Sequence, residues 1–542
     1  MDSSARKKRI LILGGGFAGA YTALHLEKRL GGMPDVEIMV VSRENFVLFT
    51  PMLHEVAGGD VAVTDIVQPL RKMLRHTRVG IADVEAIDLV KKQVRVRHSG
   101  LDRAFDFTYD QLVLALGAVT NFYHTPGLEE HALTMKTLGD AILVRNRVID
   151  ALELADNQLD ETDRKTTLTV VVAGAGFAGI ETAGAVNDFL REGMKFYPHL
   201  KENMFRVVVV DPGDHILPEL GISLGRYAQE RLGRRGVEIR LKTKVAGYDG
   251  KEVALDDGTK IATRMLIWTA GITPPQLLSS LPCAIQRGRI VANDCLQVPD
   301  WPGVWALGDC ALVPDPLNPG KFYPPTAQHA IRQAATLASN IASSTRGQSP
   351  QPFKFKIIGL LATIGRRHGV AEIFGLHFSG IIAWWLWRAI YLSKLPGPQK
   401  KARVALDWTL DLIFSKDLVQ LPTLRSPTMS ETEHSSTGAT HEIGSTKSET
   451  RNKSSSKNTK FSKKGFGASG VRFGAAWLRT AWCVVVHHVC GVEGQMLFVH
   501  SAYYGDDFLF VPYDTLSHFF RVKSRCTQSP VPVTENPDAL FI

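Results

Sequence analysis

Cysteine is scarce in this chain, with six in 542 residues, and Cys283, Cys295, Cys310, Cys483, Cys490 and Cys526 show no Cys-x-x-Cys spacing. That excludes the disulfide framework of a small secreted protein and favours a reducing compartment. Cys483, His487, His488 and Cys490 crowd into one apolar, strand-like stretch with no second pair, so no metal site is expected. Basic residues interleaved with aromatics, as in a nucleic-acid module, are also lacking. The formal charge of +9 therefore points toward anionic lipid and nucleotides and away from nucleic acid. An uninterrupted apolar run of membrane-crossing length is missing too. The closest, residues 374–392 (FGLHFSGIIAWWLWRAIYL), contains His377 and Arg388 and would reach only about 28 Å as a helix, barely the hydrocarbon thickness. The N-terminal apolar stretch is broken by glycines where a signal peptide would need continuity, so secretion is not expected.

What is present is ordinary globular material, 44% hydrophobic and 22% charged, long enough for two or three domains. Residues 9–13 (RILIL) read as a buried strand. Gly14, Gly16 and Gly19 follow at G-x-G-x-x-G spacing, then a helical run over 20–30. The pattern repeats, with a strand over 168–173 (LTVVVA), then Gly174, Gly176 and Gly179, and a helix from about residue 180. Glycine is needed because a side chain would block the tight turn or hold a pyrophosphate away from the helix N-terminus, where free N–H groups and the dipole attract it. Two such units imply two dinucleotides. The strand over 206–210 ends at Asp211, which suits a ribose 2′-hydroxyl and repels a 2′-phosphate, favouring NADH over NADPH. Asp211 lies farther along than the usual spacing, which implies a longer helix and a loop over 195–204. The corresponding strand of the first unit, 36–41, ends at Ser42, a weaker ribose partner.

Two further stretches resemble the two-dinucleotide, disulfide-reductase-like flavoproteins. Residues 109–119 (YDQLVLALGAV) resemble the strand and turn that return the chain between domains, centred on Gly117. Residues 295–309 (CLQVPDWPGVWALGD) resemble the second FAD motif, whose closing acid, here Asp309, would bind the ribityl chain. Within that superfamily, NFVLFTPMLHEVAGG (45–59), TNFYHTPGLEEHA (120–132), TAGI (269–272), PPTAQHA (324–330) and the block 353–421 resemble the type II NADH:quinone oxidoreductases. The resemblance spans residues 8 to 421. Residues 43–60 contain no cysteine, whereas thiol-using relatives carry a redox pair there, so electrons are expected to leave for an external acceptor.

The resemblance implies FAD and NADH as cofactors and a quinone of ubiquinone or menaquinone type as acceptor. Glu181 would face the nicotinamide and flavin rings. Gln328 would donate to a quinone carbonyl, Thr326 and Ala327 would supply backbone donors to the flavin, and Gly271 would lie at the NADH side. Four residues beyond Gln328, where the family often has a second Gln, stands Arg332, followed by Gln333. His329 reads as a satisfied helix histidine in preference to a proton donor.

The expected fold is α/β, with two Rossmann-like dinucleotide-binding domains followed by a C-terminal helical membrane-anchoring region and a disordered, unassigned tail. A FAD domain would comprise 1–125 and 285–345, an NADH domain 126–284 and a membrane-association region 346–424. The remainder would be a linker over 425–464, rich in Ser, Thr, Glu and Lys, and an unassigned tail over 465–542. The run 374–392 is expected to be an embedded monotopic helix. Residues 402–414 would form a second helix lying in the interface, with Arg403, Asp407 and Asp411 on one face and Val404, Ala405, Trp408 and Leu412 on another. Membrane lipid and a homodimer are the expected partners, at the cytoplasmic face of the inner or cell membrane. A reductase of a small iron–sulfur carrier and a non-turnover redox sensor are the alternatives.

Overall fold

A computed structural model describes the protein over residues 7–98, 100, 103–157 and 160–421. The expected linker and tail, with Cys483, His487, His488 and Cys490, lie outside the described residues.

Two five-stranded parallel sheets dominate. The first runs Val304–Ala306, Gln111–Leu114, Lys8–Leu13, Val36–Ser42, Arg78–Ile81, and the second Leu133–Thr134, Met265–Trp268, Thr169–Ala173, Arg206–Asp211, Val237–Leu241. All neighbours are parallel, with Ile10 opposite Ile38 and Val170 opposite Val207. Strands so placed are covered on both faces, and this is why they read as unbroken aliphatic sequence: Leu11, Ile12, Val171 and Val172 are fully buried. Each half carries a three-stranded antiparallel meander between its edge strand (Arg78–Ile81 or Val237–Leu241) and the strand that returns beside the glycine strand (Gln111–Leu114 or Met265–Trp268), Asp83–Thr108 in one half and Val245–Ala262 in the other. The two halves are thus built to one plan. Each places its glycine strand at the centre of the sheet, where the order reverses and a ligand crevice opens at the carboxyl end.

The strand ending in Asp211 comes late because the helix Phe177–Gly193 continues into two short 3-10 turns, Met194–Phe196 and Glu202–Met204. A 19-residue helix, Ala327–Thr345, lies along the first glycine helix, Phe17–Leu30.

The C-terminal block departs from the expectation. Residues 374–392 are not one helix: Leu376–Ser379 is the last strand of an antiparallel sheet formed with Gly359–Thr363 and Gly369–Ile373, and the helix covers only Gly380–Lys394. Gly375 and Gly380 take positive φ, +79° and +70°, where the chain reverses and helix cannot continue. The helix packs Ala383 and Trp387 into the second core, and its Trp384 and Arg388 are buried as well. The following helix is Pro398–Asp411. Its polar stripe faces the protein: Arg403 lies 3.7 Å from Asp65, Asp407 accepts from the Ala62 N–H, and Asp411 is 4.0 Å from Arg366. Leu406 and Leu410 are left exposed.

Candidate functional site

Both glycine turns show a division of labour that can be tested by asking what a Cβ would meet. At Gly14 it would lie 2.1 Å from the Ala115 carbonyl oxygen and at Gly19 1.9 Å from the Gly14 carbonyl oxygen, so these two close the turn and seat helix on strand. At Gly16 it would meet no protein atom within 4 Å. The second turn repeats this: Gly174 and Gly179 are closed by the Thr269 hydroxyl at 2.7 Å, Gly179 also by the Gly174 carbonyl at 1.8 Å, while Gly176 faces open space. Gly16 and Gly176 are the N-caps of 14- and 17-residue helices, so the open space lies before free N–H groups at a positive dipole end.

Around the first turn the chain gathers most of the expected FAD residues. Ser42 is buried with its hydroxyl 2.3 Å from where a Gly15 Cβ would stand. Gly308 approaches Ala18, its own Cβ position being 3.0 Å from that methyl, which sets Asp309 beside the first glycine helix. The Cys310 thiol donates to the Leu114 and Leu307 carbonyls, each at 3.4 Å, joining the strand that leads to the Gly117 turn to the same place. The Gly308 N–H donates to Gln333 Oε1 at 2.9 Å. Asp309 is 3.6 Å from the Lys136 ammonium, a partner from the other half. Ala327 opens its helix after Thr326, whose hydroxyl accepts from the His329 N–H. His329 is buried, bonded to the Thr326 hydroxyl at 2.7 Å and stacked near Tyr323 and Phe355. Burial lowers its pKa to about 4, so it is a neutral, satisfied imidazole.

Around the second turn, Asp211 Oδ2 accepts from the Ala175 N–H and Oδ1 from the Gly213 N–H, each at 2.7 Å. The carboxylate is held rigidly by the turn, with lone pairs left for a hydroxyl and none of the donors a phosphate would need. Gly271, at φ +90°, would place a Cβ 2.4 Å from the Tyr123 hydroxyl.

Glu181 and Gln328 are not in contact, but one strand touches both. Gln328 donates from Nε2 to the Gly359 carbonyl at 2.9 Å, and Glu181 Oε1 accepts from the Thr363 N–H at 3.1 Å. Four residues of strand separate these points by about 13 Å. This bridge was not readable beforehand, because Gly359–Thr363 carries no motif.

A buried polar cluster surrounds Glu181. His54 Nδ1 is 3.5 Å from Glu181 Oε2 and His54 Nε2 is 3.0 Å from the Thr363 hydroxyl. Glu55 Oε2 accepts from Trp408 Nε1 at 2.5 Å. With Asp60, Arg388 and others they line a cavity of about 30 Å³, room for roughly one water. Burial raises the Glu181 carboxyl well above the carboxylate range, lowers His54 to about 4, and, with Asp60 adding repulsion, raises Glu55 to about 7. His54 and Glu55 stand in the NFVLFTPMLHEVAGG run, so their signal was visible, but their role was not.

The cysteines among the described residues are unpaired, and burial raises the Cys310 thiol to about 11. The arrangement can therefore hold two dinucleotides and bring one ring system against another, without a nearby reactive thiol to receive electrons.

Comparison with known proteins agrees with this reading. Residues 8–334 match the pyridine nucleotide-disulphide oxidoreductase family and residues 358–417 the NDH2 C-terminal domain. The type II NADH:quinone oxidoreductase Ndh of Mycobacterium tuberculosis is 32% identical, with 76% of this chain and 89% of that protein covered. The external alternative NAD(P)H-ubiquinone oxidoreductase B4, mitochondrial, of Arabidopsis thaliana is 28% identical over 76% of this chain and 89% of its own length. The solved structure of NDH2 from Plasmodium falciparum in complex with NADH has the same fold, with a TM-score of 0.70 at 19% identity, covering 76% of this chain and 100% of that one.

Proposed function

Because the chain belongs to the pyridine nucleotide-disulphide oxidoreductases and, within them, to the type II NADH:quinone oxidoreductases, we propose the following division of its residues between cofactors and acceptor. The protein is a non-proton-pumping NADH dehydrogenase that reduces quinone. FAD takes the first glycine turn and NADH the second, in domains covering 1–125 with 285–345, and 126–284. The observation that carries this is the pair of middle glycines, Gly16 and Gly176, each facing open space at the head of a helix in matching crevices.

FAD, when bound, supplies the hydride acceptor and the electron donor to the quinone. Gly14, Gly16 and Gly19 admit its diphosphate, Ser42 meets a ribose hydroxyl, and Asp309 accepts from the ribityl hydroxyls. Gly117 keeps the return turn clear, and the helix opened by Ala327 offers N–H groups to the electron-rich end of the ring. Gly174, Gly176 and Gly179 admit the diphosphate of NADH, Asp211 accepts from its ribose, and the Gly271 turn borders it. Burial pushes Glu181 toward its protonated form, in which it would present a hydroxyl donor on the nicotinamide side. Gln328, with one N–H on the Gly359 carbonyl, has its other N–H to donate to a quinone oxygen.

A quinone with a long tail is dissolved in the bilayer, so the acceptor site must open at a membrane. No helix among the described residues is long and apolar enough to cross one. Ile381, Ile382 and Trp385 in the first C-terminal helix, Leu406 in the second and Ile413 and Phe414 just after it are exposed, and Lys394 and Lys401 flank the turn between the helices. They support monotopic docking on lipid, with 346–424 as the membrane-association region. The same face would be covered in a homodimer. Stopped-flow mixing with NADH should bleach the flavin, and a water-soluble quinone should then restore it. Bleaching without reoxidation by quinone overturns the assignment of the acceptor.

A further inference from the structure

The loop over residues 121–125, between the two dinucleotide halves, is held in an unfavourable shape. Tyr123 and His124 follow one another at φ +52° and +55°, in the left-handed region that bulky side chains avoid because Cβ crowds the carbonyl oxygen. Such a conformation persists only where surrounding contacts impose it, and here they do. Asn121 donates its N–H to the Gly271 carbonyl at 3.2 Å, its side-chain oxygen accepts from the Tyr123 N–H at 2.9 Å, and its carbonyl accepts from Trp268 Nε1 at 2.9 Å. The Thr125 N–H donates to the Phe122 carbonyl at 2.9 Å. The Tyr123 phenol is thereby laid on Gly271, where a Cβ would meet the hydroxyl at 2.4 Å and two ring carbons at 2.6 and 2.7 Å. Tyr123 is nonetheless 60% exposed, and its hydroxyl has no hydrogen-bond partner among the described residues. The strain therefore fixes a free donor in one place and fills no core.

The strand order of the second sheet locates this ring. The glycine strand Thr169–Ala173 lies between Arg206–Asp211, which carries Asp211 for the adenosine ribose, and Met265–Trp268. A dinucleotide crossing the carboxyl ends of these strands, with adenosine over Asp211 and diphosphate at the Gly174 turn, carries its other nucleoside toward the end of Met265–Trp268. There the Thr269 hydroxyl and the Ala270 nitrogen stand 2.7 and 3.1 Å from where a Gly174 Cβ would be. Gly271 is the next residue, about 4 Å farther along the chain, and the phenol rests on it. We infer that Tyr123 walls the nicotinamide half of the NADH site and donates its hydroxyl to the ribose next to the nicotinamide. The inference rests on the assignment of NADH to the second glycine turn. Glycine at 271 belongs to the same arrangement, because a side chain there would displace the ring. The ring gives the nicotinamide an apolar face, and the hydroxyl adds a neutral hydrogen bond that only this half of the nucleotide can accept.

The test uses the flavin-loaded enzyme and follows bleaching of the flavin by NADH, with ADP-ribose and ADP as competitors. These two differ by the one ribose that Tyr123 is inferred to contact. Tyr123→Phe keeps the ring and removes the donor. It should weaken NADH and ADP-ribose about fivefold, the loss expected for one neutral hydrogen bond, and leave ADP unchanged. Tyr123→Asn removes the ring with a residue that suits the left-handed backbone, and should weaken NADH about twentyfold in all. Flavin content and melting temperature of each variant report folding. Equal weakening of ADP and ADP-ribose overturns the inference, since Tyr123 would then act only by holding the loop. No change in ADP-ribose or NADH affinity with Tyr123→Phe overturns it as well, whatever Tyr123→Asn does to stability. If Gly176→Ala leaves the binding of NADH and ADP unchanged, it is the assignment of NADH to the second turn that fails.

Discussion

The three glycines in each turn are under different pressures. Gly179 is closed by protein, since its Cβ would stand 1.8 Å from the Gly174 carbonyl oxygen, whereas Gly176 faces only the crevice. Gly179→Ala should therefore destabilise the fold by about 1–3 kcal/mol through overpacking, read as a lower melting temperature. Gly176→Ala should change stability by less than about 0.5 kcal/mol and raise KM for NADH about tenfold by holding the diphosphate off the helix. Glu55 is governed by burial instead. Its carboxyl sits near 7 in the fold against 4.5 for the unperturbed group, so the folded state retains a proton that the unfolded chain has released. Its favourable contribution is complete below pH 4.5 and is lost as pH rises to 7. His54, lowered to about 4 from 6.5, acts in the opposite direction between those values, so the wild-type curve is flattened. Glu55→Gln should gain stability relative to wild type steadily from pH 4.5 to 7 and no further above it, measured by denaturant unfolding across that range.

The helix Gly380–Lys394 serves two masters. Trp387 is fully buried, 4.6 Å from Tyr391 and 6.1 Å from Trp408 between ring centres, while Trp385 is 55% exposed. Trp387→Ala should cost about 3–5 kcal/mol by opening a cavity in the second core. The double variant Ile382→Glu, Trp385→Glu should leave the melting temperature nearly unchanged and release the enzyme from sedimented membranes. Retention on membranes by that variant would count against docking through this face. Composition alone read both tryptophans as one aromatic anchor. The turn glycines at 375 and 380 divided the run, and packing then turned half of the helix inward. In helix Pro398–Asp411 the stripe of Arg403, Asp407 and Asp411, readable in the sequence as one face, proves to meet Asp65, Ala62 and Arg366, which the sequence could not show.

Across the described residues, the last segment ties the C-terminal block to both halves. Lys416 is buried with its ammonium 2.6 Å from Asp60 and 2.7 Å from the Gly58 carbonyl, Arg145 donates to the Asp417 carbonyl at 2.9 Å, and Asn146 bonds both backbone groups of Leu421. Lys416→Met strands the Asp60 charge and should cost about 3–5 kcal/mol, seen as earlier loss of flavin fluorescence quenching on heating.

The sequence by itself determined the two glycine turns, the strands and helices that flank them and the family, because these depend on contacts a few residues apart and on aliphatic runs that only a doubly covered sheet can bury. It also marked Asp211, Asp309, Glu181 and Gln328 by their place in motifs. Tertiary structure alone decided that Gly359–Thr363 joins Glu181 to Gln328 and that His54 and Glu55 share a buried cavity with residues some 300 positions later. Those outcomes follow from how elements distant along the chain come to rest against one another, and burial, which sets the charge of each group, exists only once they have done so.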